Sequence, residues 1–197
     1  MTDSKNITYF IGLFFAAMMV TGCGKDSFSV PDSTTTLTQA QAEALAEFLG
    51  IDGINDVFFD SVIASGGDSG SFGFDDGEVL CDSGEIPTEG SGSANVDFEA
   101  ETVRANLTAN NQEIVNCSID GSQGSDIEIT TADLQWKGNY RENATSYNLN
   151  ATIRGSVYIE GMDVTTGTCG LDLDYEDNDG TETLTGTICD RDVSIEL

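Results

Sequence analysis

Histidine is absent from this 197-residue chain, and cations are scarce: seven Lys and Arg stand against 35 Asp and Glu, a net charge of −28. Without histidine there is no Ser-His-Asp or Cys-His mechanism and no imidazole-based zinc site. Any acid or base would have to be Asp, Glu, Tyr or a rare Lys. With so few cations there is no basic stripe to release counterions from phosphates, so nucleic acid is excluded as a partner. Broad attraction to anionic headgroups fails for the same reason. No CxxC pair occurs, which removes the usual cysteine metal sites. The sequence has no internal repeat.

The longest apolar run, Ile7 to Val20, has ~14 residues, too few for a bilayer-spanning helix of ~20. A short polar start, this apolar run and small residues after it describe a secretory signal segment. It ends Val20-Thr21-Gly22-Cys23. That string resembles the lipobox of bacterial lipoproteins. The resemblance implies cleavage before Cys23, acylation of its thiol and new amino terminus, and a membrane partner held through the lipid. Gly24, rather than Asp, implies the outer membrane by the same likeness. Residues 1–22 are then the signal, 23–35 a Ser/Thr-rich flexible tether, and 36–197 a single domain.

Removing Cys23 leaves Cys81, Cys117, Cys169 and Cys189 in an oxidising compartment, where an even count means disulfides. The segment between Cys169 and Cys189 reads strand, Asp-rich turn, strand, centred on Asp179-Gly180, so a hairpin sets these two opposite each other. Cys81 then pairs with Cys117. Each bridge is worth roughly 3–4 kcal/mol on a chain-entropy account.

Residues 36–50 carry the strongest helical signal. Thr36 or Thr38 can cap the helix with Gln39 or Gln41, Ala40, Ala44, Leu45, Phe48 and Leu49 form its apolar face, and Gly50 stops it. Residues 54–64 fit a second, shorter helix. Gly/Ser loops are expected at 66–77 and 84–93. From Val79 onward the period is two, clearest from Tyr147 to Ile159, where odd positions are apolar or Gly and even positions polar. Gly155 marks a bend, a bulge near 101–103 reconciles two phases, and turns fall at Asn110-Asn111, Asp120-Gly121, Gly161 and Asp179-Gly180. The expectation is a mainly β (α+β) fold. It is a curved, barrel- or half-barrel-like antiparallel meander of about six to seven strands, with one or two N-terminal helices on its apolar face.

Candidate chemistry is thin. Asp82-Ser83-Gly84 looks like the aspartic-protease signature, but its only companion, Asp68-Ser69-Gly70, lacks an apolar strand before it, and a strand ending in a turn explains the string as well. Asp174, Asp177 and Asp179 crowd one hairpin tip and could bind Ca²⁺ weakly, although the spacing fails the EF-hand pattern. Lys137, Arg141 and Arg154 could surround a small anion. Trp136 and Tyr158 could stack on a sugar. The reading favoured is a non-enzymatic, lipid-anchored envelope lipoprotein with a structural or protein-interaction role and no catalytic residue. The alternatives are a carrier for an apolar, lipid-like ligand and a weak calcium-binding surface module. A cavity between sheet and helices would favour the carrier, and a filled core the interaction role.

Overall fold

In the computed structural model, which describes residues 29–58, 69–97, 99–120, 126–161 and 163–196, the period-two region becomes one antiparallel sheet. Its strands are β1 (Gly70–Leu80), β2 (Ser83–Asp97), β3 (Thr102–Asp120), β4 (Asp126–Asn143), β5 (Ser146–Gly161), β6 (Gly167–Asn178), β7 (Thr181–Ile188) and β8 (Arg191–Glu196). Each pairs with the next in sequence, so the topology is a meander. The fold is mainly β with one N-terminal helix.

Eight strands stand among the described residues, more than the six or seven expected. The difference lies in the Gly/Ser stretches: residues 70–77 and 84–93 are strand, not loop. Their glycines serve as sites for aromatic rings. Phe72 lies opposite Gly92 and Phe74 opposite Gly90. A Cβ at Gly90 would come 2.4 Å from Phe74 Cζ, and one at Gly92 2.5 Å from Phe72 Cζ. Phenyl rings thus cover the bare backbone of the facing strand, a pairing that restores packing to glycine in a sheet.

Two further expectations are corrected. The phase change near 101–103 is a hairpin rather than a bulge: Val96 faces Val103, Asp97 Oδ1 accepts the N–H groups of Glu99 and Ala100, and Glu101 takes φ 51°. Asn110-Asn111 is not a turn but lies inside β3, where buried Asn111 donates Nδ2–H to the Pro87 carbonyl at 2.6 Å. The irregularity falls instead between Glu85 and Glu89 of β2. The Asp179-Gly180 turn is as expected, with φ 54° and 85°, the paired positive values of a type I′ hairpin.

The helix begins as the sequence implies. Thr38 is its cap, with Gln41 closing a capping box. It does not stop at Gly50. The α-helical turns Gln39–Glu47 pass into a π-helical turn, Phe48–Asp52, and residues 53–58 continue helical, making one 20-residue helix of the one or two expected; residues 59–64 of the expected second helix lie outside the described residues. Gly50 serves contact rather than termination: a Cβ there would sit 2.6 Å from Leu184 Cδ2 of β7. Leu45, Phe48 and Leu49 of the expected face are buried, joined by Ala42 and Ala46 and by Ile54 and Val57 beyond, while Ala40 is exposed. The shift is at the first turn, where Gln41 is drawn inward by the capping box and by the Asp163 carbonyl.

This helix touches strands from both edges of the sheet. Gln39 donates to the Asp192 carbonyl of β8, and Asp56 Oδ2 accepts the Leu80 N–H of β1. Gln39 and Asp56 lie at opposite ends of the helix, ~25 Å apart at 1.5 Å per residue, so the helix crosses the sheet from one edge strand to the other. At mid-sheet the Trp136 indole, 1% exposed, donates to the Leu49 carbonyl at 3.3 Å within the π-turn. Residues 33–35, at the end of the Ser/Thr-rich stretch, run beside β6 past the end of β7. There the Thr34 N–H donates to Thr168 O at 2.8 Å, and Ser33 Oγ accepts the Gly170 N–H at 3.1 Å.

Gly155, in the middle of β5, holds φ 140°, and a Cβ there would fall 2.0 Å from the Asp133 carbonyl of β4. Gly155→Ala should cost about 2–3 kcal/mol, which lowers Tm by roughly 5–10 °C for a chain of this size. Calorimetry of the variant measures it; an unchanged Tm would contradict this role for the glycine.

Candidate functional site

Alternation along each strand sends one set of side chains into the helix-filled interior and the other to water. The inward set is apolar: Ile129, Leu134, Trp136, Ile153, Val157, Leu171 and Leu173 are all at most 1% exposed. What remains for recognition is the outer face, and its register is regular across β3 to β7. One rung runs Asn110, Gln135, Arg154, Asp172, Thr187. The next runs Thr108, Lys137, Thr152, Asp174, Thr185. A third runs Asn106, Asn139, Asn150, Glu176, Thr183, and the last Arg104, Arg141, Asn148, Asn178, Thr181. No apolar side chain interrupts this lattice. It carries four of the chain's seven basic residues and only three carboxylates, a local reversal within a chain of net charge −28.

The three cations expected to gather do not form one site. Arg154 is paired with Asp172 at 2.7 Å, which holds its guanidinium more firmly protonated. Lys137 stands two rungs from Arg141 and faces Thr108 on one side and Thr152 on the other. The residue directly across from Arg141 is Arg104 of β3, which sequence reasoning missed. Nothing local flags that pair, because the two residues lie 37 positions apart and meet only through the β3–β4 register.

The calcium candidates diverge. Asp174 is on the outer face, whereas Asp177 is 9% exposed and accepts the Gly180 N–H at 2.9 Å. Asp179 accepts the Tyr147 N–H at 2.7 Å. Among the described residues no three His, Cys, Asp or Glu side chains are placed to hold a metal ion. Trp136 is buried and Tyr158 exposed, on opposite faces of the sheet, so they do not form one stacking platform. The Asp82-Ser83-Gly84 string is the β1–β2 turn; Gly84 lies so close to Asn116 of β3 that a Cβ would fall 1.6 Å from its carbonyl oxygen. Asp68 and Cys23 lie outside the described residues.

Both disulfides form, Cys81–Cys117 with Cα atoms 5.5 Å apart and Cys169–Cys189 at 4.5 Å. The first ties the β1–β2 turn to β3, and the second ties β6 to the β7–β8 turn, where Cys189 N–H also donates to Gly170 O at 2.9 Å.

One acidic surface cleft of about 320 Å³ lies where the helix meets the β1–β2 turn, lined by Glu47, Phe48, Asp52, Leu80 and Asp82 among others. Burial pushes the Asp52 carboxyl up from its ordinary range, and the charges of Glu47, Asp56, Asp82 and Glu182 push the same way. At the far end of the sheet, burial and a 2.9 Å hydrogen bond to Glu142 push the Tyr140 phenol up to about 12. Compared with protein families, characterised proteins and solved structures, the chain has no match.

Raised in the folded state, the Asp52 pKa makes its ionisation cost stability as pH climbs above the unfolded value. Asp52→Asn should therefore raise Tm at pH 7, and the gain should vanish below pH ~4, where both states are protonated. Thermal melts across that range decide it; a variant that melts lower than wild type at pH 7 contradicts the electrostatic account.

Proposed function

We propose that this chain is a non-enzymatic, lipid-anchored lipoprotein of the bacterial cell envelope that acts through surface interactions. The observation that carries this reading is the helix. Its Leu45, Leu49, Ile54 and Val57 occupy the apolar face of the sheet, the space a lipid-carrying relative of this architecture would leave to its ligand. The space between helix and sheet is filled by these side chains, which favours an interaction role over the carrier.

The anchor rests on Val20-Thr21-Gly22-Cys23, with the outer membrane as its place. The position of Val30 beside Gly170 of β6 adds a length constraint. From Cys23 to Val30 the chain can reach about 25 Å at full extension, so an acylated Cys23 would keep the domain near its bilayer. Intact mass spectrometry of protein from native membranes, before and after reduction and thiol alkylation, tests this. The expected species starts at Cys23, carries acyl chains and exposes four thiols only on reduction. A chain without lipid, or one with free thiols before reduction, would overturn the reading.

A further inference from the structure

Arg104 and Arg141 stand directly opposite each other on β3 and β4, both exposed, with Cα atoms about 5 Å apart at such a position. Like charges placed so are destabilising in a sheet. The usual remedy is a nearby carboxylate, and this chain has 35 to choose from. None stands directly beside either arginine: Asp97 of β2 lies diagonal to Arg104 on the same face, and its Oδ1 is engaged by the Glu99 and Ala100 N–H groups. Across the sheet the pair is flanked by Asn95 and Asn148, and along the strands by Thr102 and Asn106 on β3 and Asn139 and Asn143 on β4. All six neighbours are neutral. Neither arginine has an ion-pair partner among the described residues. A local rule broken without compensation inside the fold is the mark of a group that acts outside it.

We propose that Arg104 and Arg141 form a clamp for a phosphate monoester. Two guanidinium forks side by side offer two bidentate donor edges. A carboxylate, with two oxygens, is filled by one fork, whereas a phosphate monoester presents three terminal oxygens and a charge between −1.5 and −2, matching the two positive charges. The surrounding asparagines supply amide donors for oxygens the forks do not reach. Relieving the repulsion between the two arginines adds to binding, because ligand-free protein alone bears that strain.

The clamp lies far from the tether. Thr168, where residues 34 and 35 dock, pairs with Tyr158, while Arg141 pairs with Asn148. Ten residues of β5 separate these levels, about 33 Å. The site therefore faces away from the point of chain entry and suits a phosphate borne by a separate molecule. This inference rests on the outer face being the binding surface and is independent of the lipid anchor: an unacylated chain would refute the anchor and leave the clamp standing.

The test is the melting temperature of the full-length chain in detergent, titrated with inorganic phosphate, glucose 6-phosphate and glycerol 3-phosphate, each against chloride of equal ionic strength. Ligand that binds only the folded state raises Tm in a saturable way. The wild type should show that rise, and Arg104→Gln and Arg141→Gln should each weaken the apparent affinity about tenfold or more, while Lys137→Gln should leave it intact. Preference for glucose 6-phosphate would assign the site to a sugar phosphate, and preference for glycerol 3-phosphate to a lipid headgroup. A rise no larger than that in chloride, or one that both arginine variants retain, would overturn the proposal.

Discussion

A long antiparallel meander exposes a wide apolar face, and it persists as a monomeric domain only if something covers that face. Here one helix does so, and its closeness to the sheet is the constraint on which the rest depends. Gly50 lets the backbone descend onto Leu184, Gly138 makes room for the Phe58 ring, and the Trp136 indole reaches the Leu49 carbonyl inside the π-turn. Burying each Leu or Ile of this interface is worth about 1.5–3 kcal/mol. The π-turn keeps both halves of the helix aimed at the sheet, with β8 met at its first turn and β1 near its last.

A filled interior moves function outward. The outer face is polar across the four rungs from Asn110 to Arg104, and the two edges discourage strand addition: β8 has only six residues and carries Arg191, Asp192 and Glu196, and β1 is broken by a register shift at Asp75 and Asp76. Against that background the cations of β3–β5 stand out. Arg154 is spent on Asp172, whereas Arg104 and Arg141 face each other with amides and hydroxyls as their direct neighbours. The same register that buries Trp136 one residue beyond Gln135 fixes this pair.

Much of the architecture was legible in the residues. The capping box at Thr38, the alternation from Tyr147 to Ile159, the Asp179-Gly180 turn and both cysteine pairings followed from local chemistry. Apart from the local hairpin at 97–102, where Asp97 holds the Glu99 and Ala100 N–H groups, the failures depend on partners distant in sequence. Gly90 and Gly92 look like loop residues until Phe74 and Phe72 lie across from them, and Gly50 looks like a helix stop until Leu184 is seen beneath it. Asn111 looks like a turn residue until Pro87 accepts its amide. Arg104 was invisible as a site residue for the same reason, since only strand register brings it to Arg141.

The account stands on the helix filling the sheet, and Trp136, the single tryptophan of the chain, reports on that contact. The most direct measurement is its fluorescence in the native protein, with acrylamide as quencher and a long-chain fatty acid as titrant. A filled core predicts apolar-type emission, shielded from acrylamide and unchanged by the fatty acid until the protein unfolds. Saturable binding of the fatty acid that shifts Trp136 emission would mean a cavity exists between helix and sheet, and would contradict it.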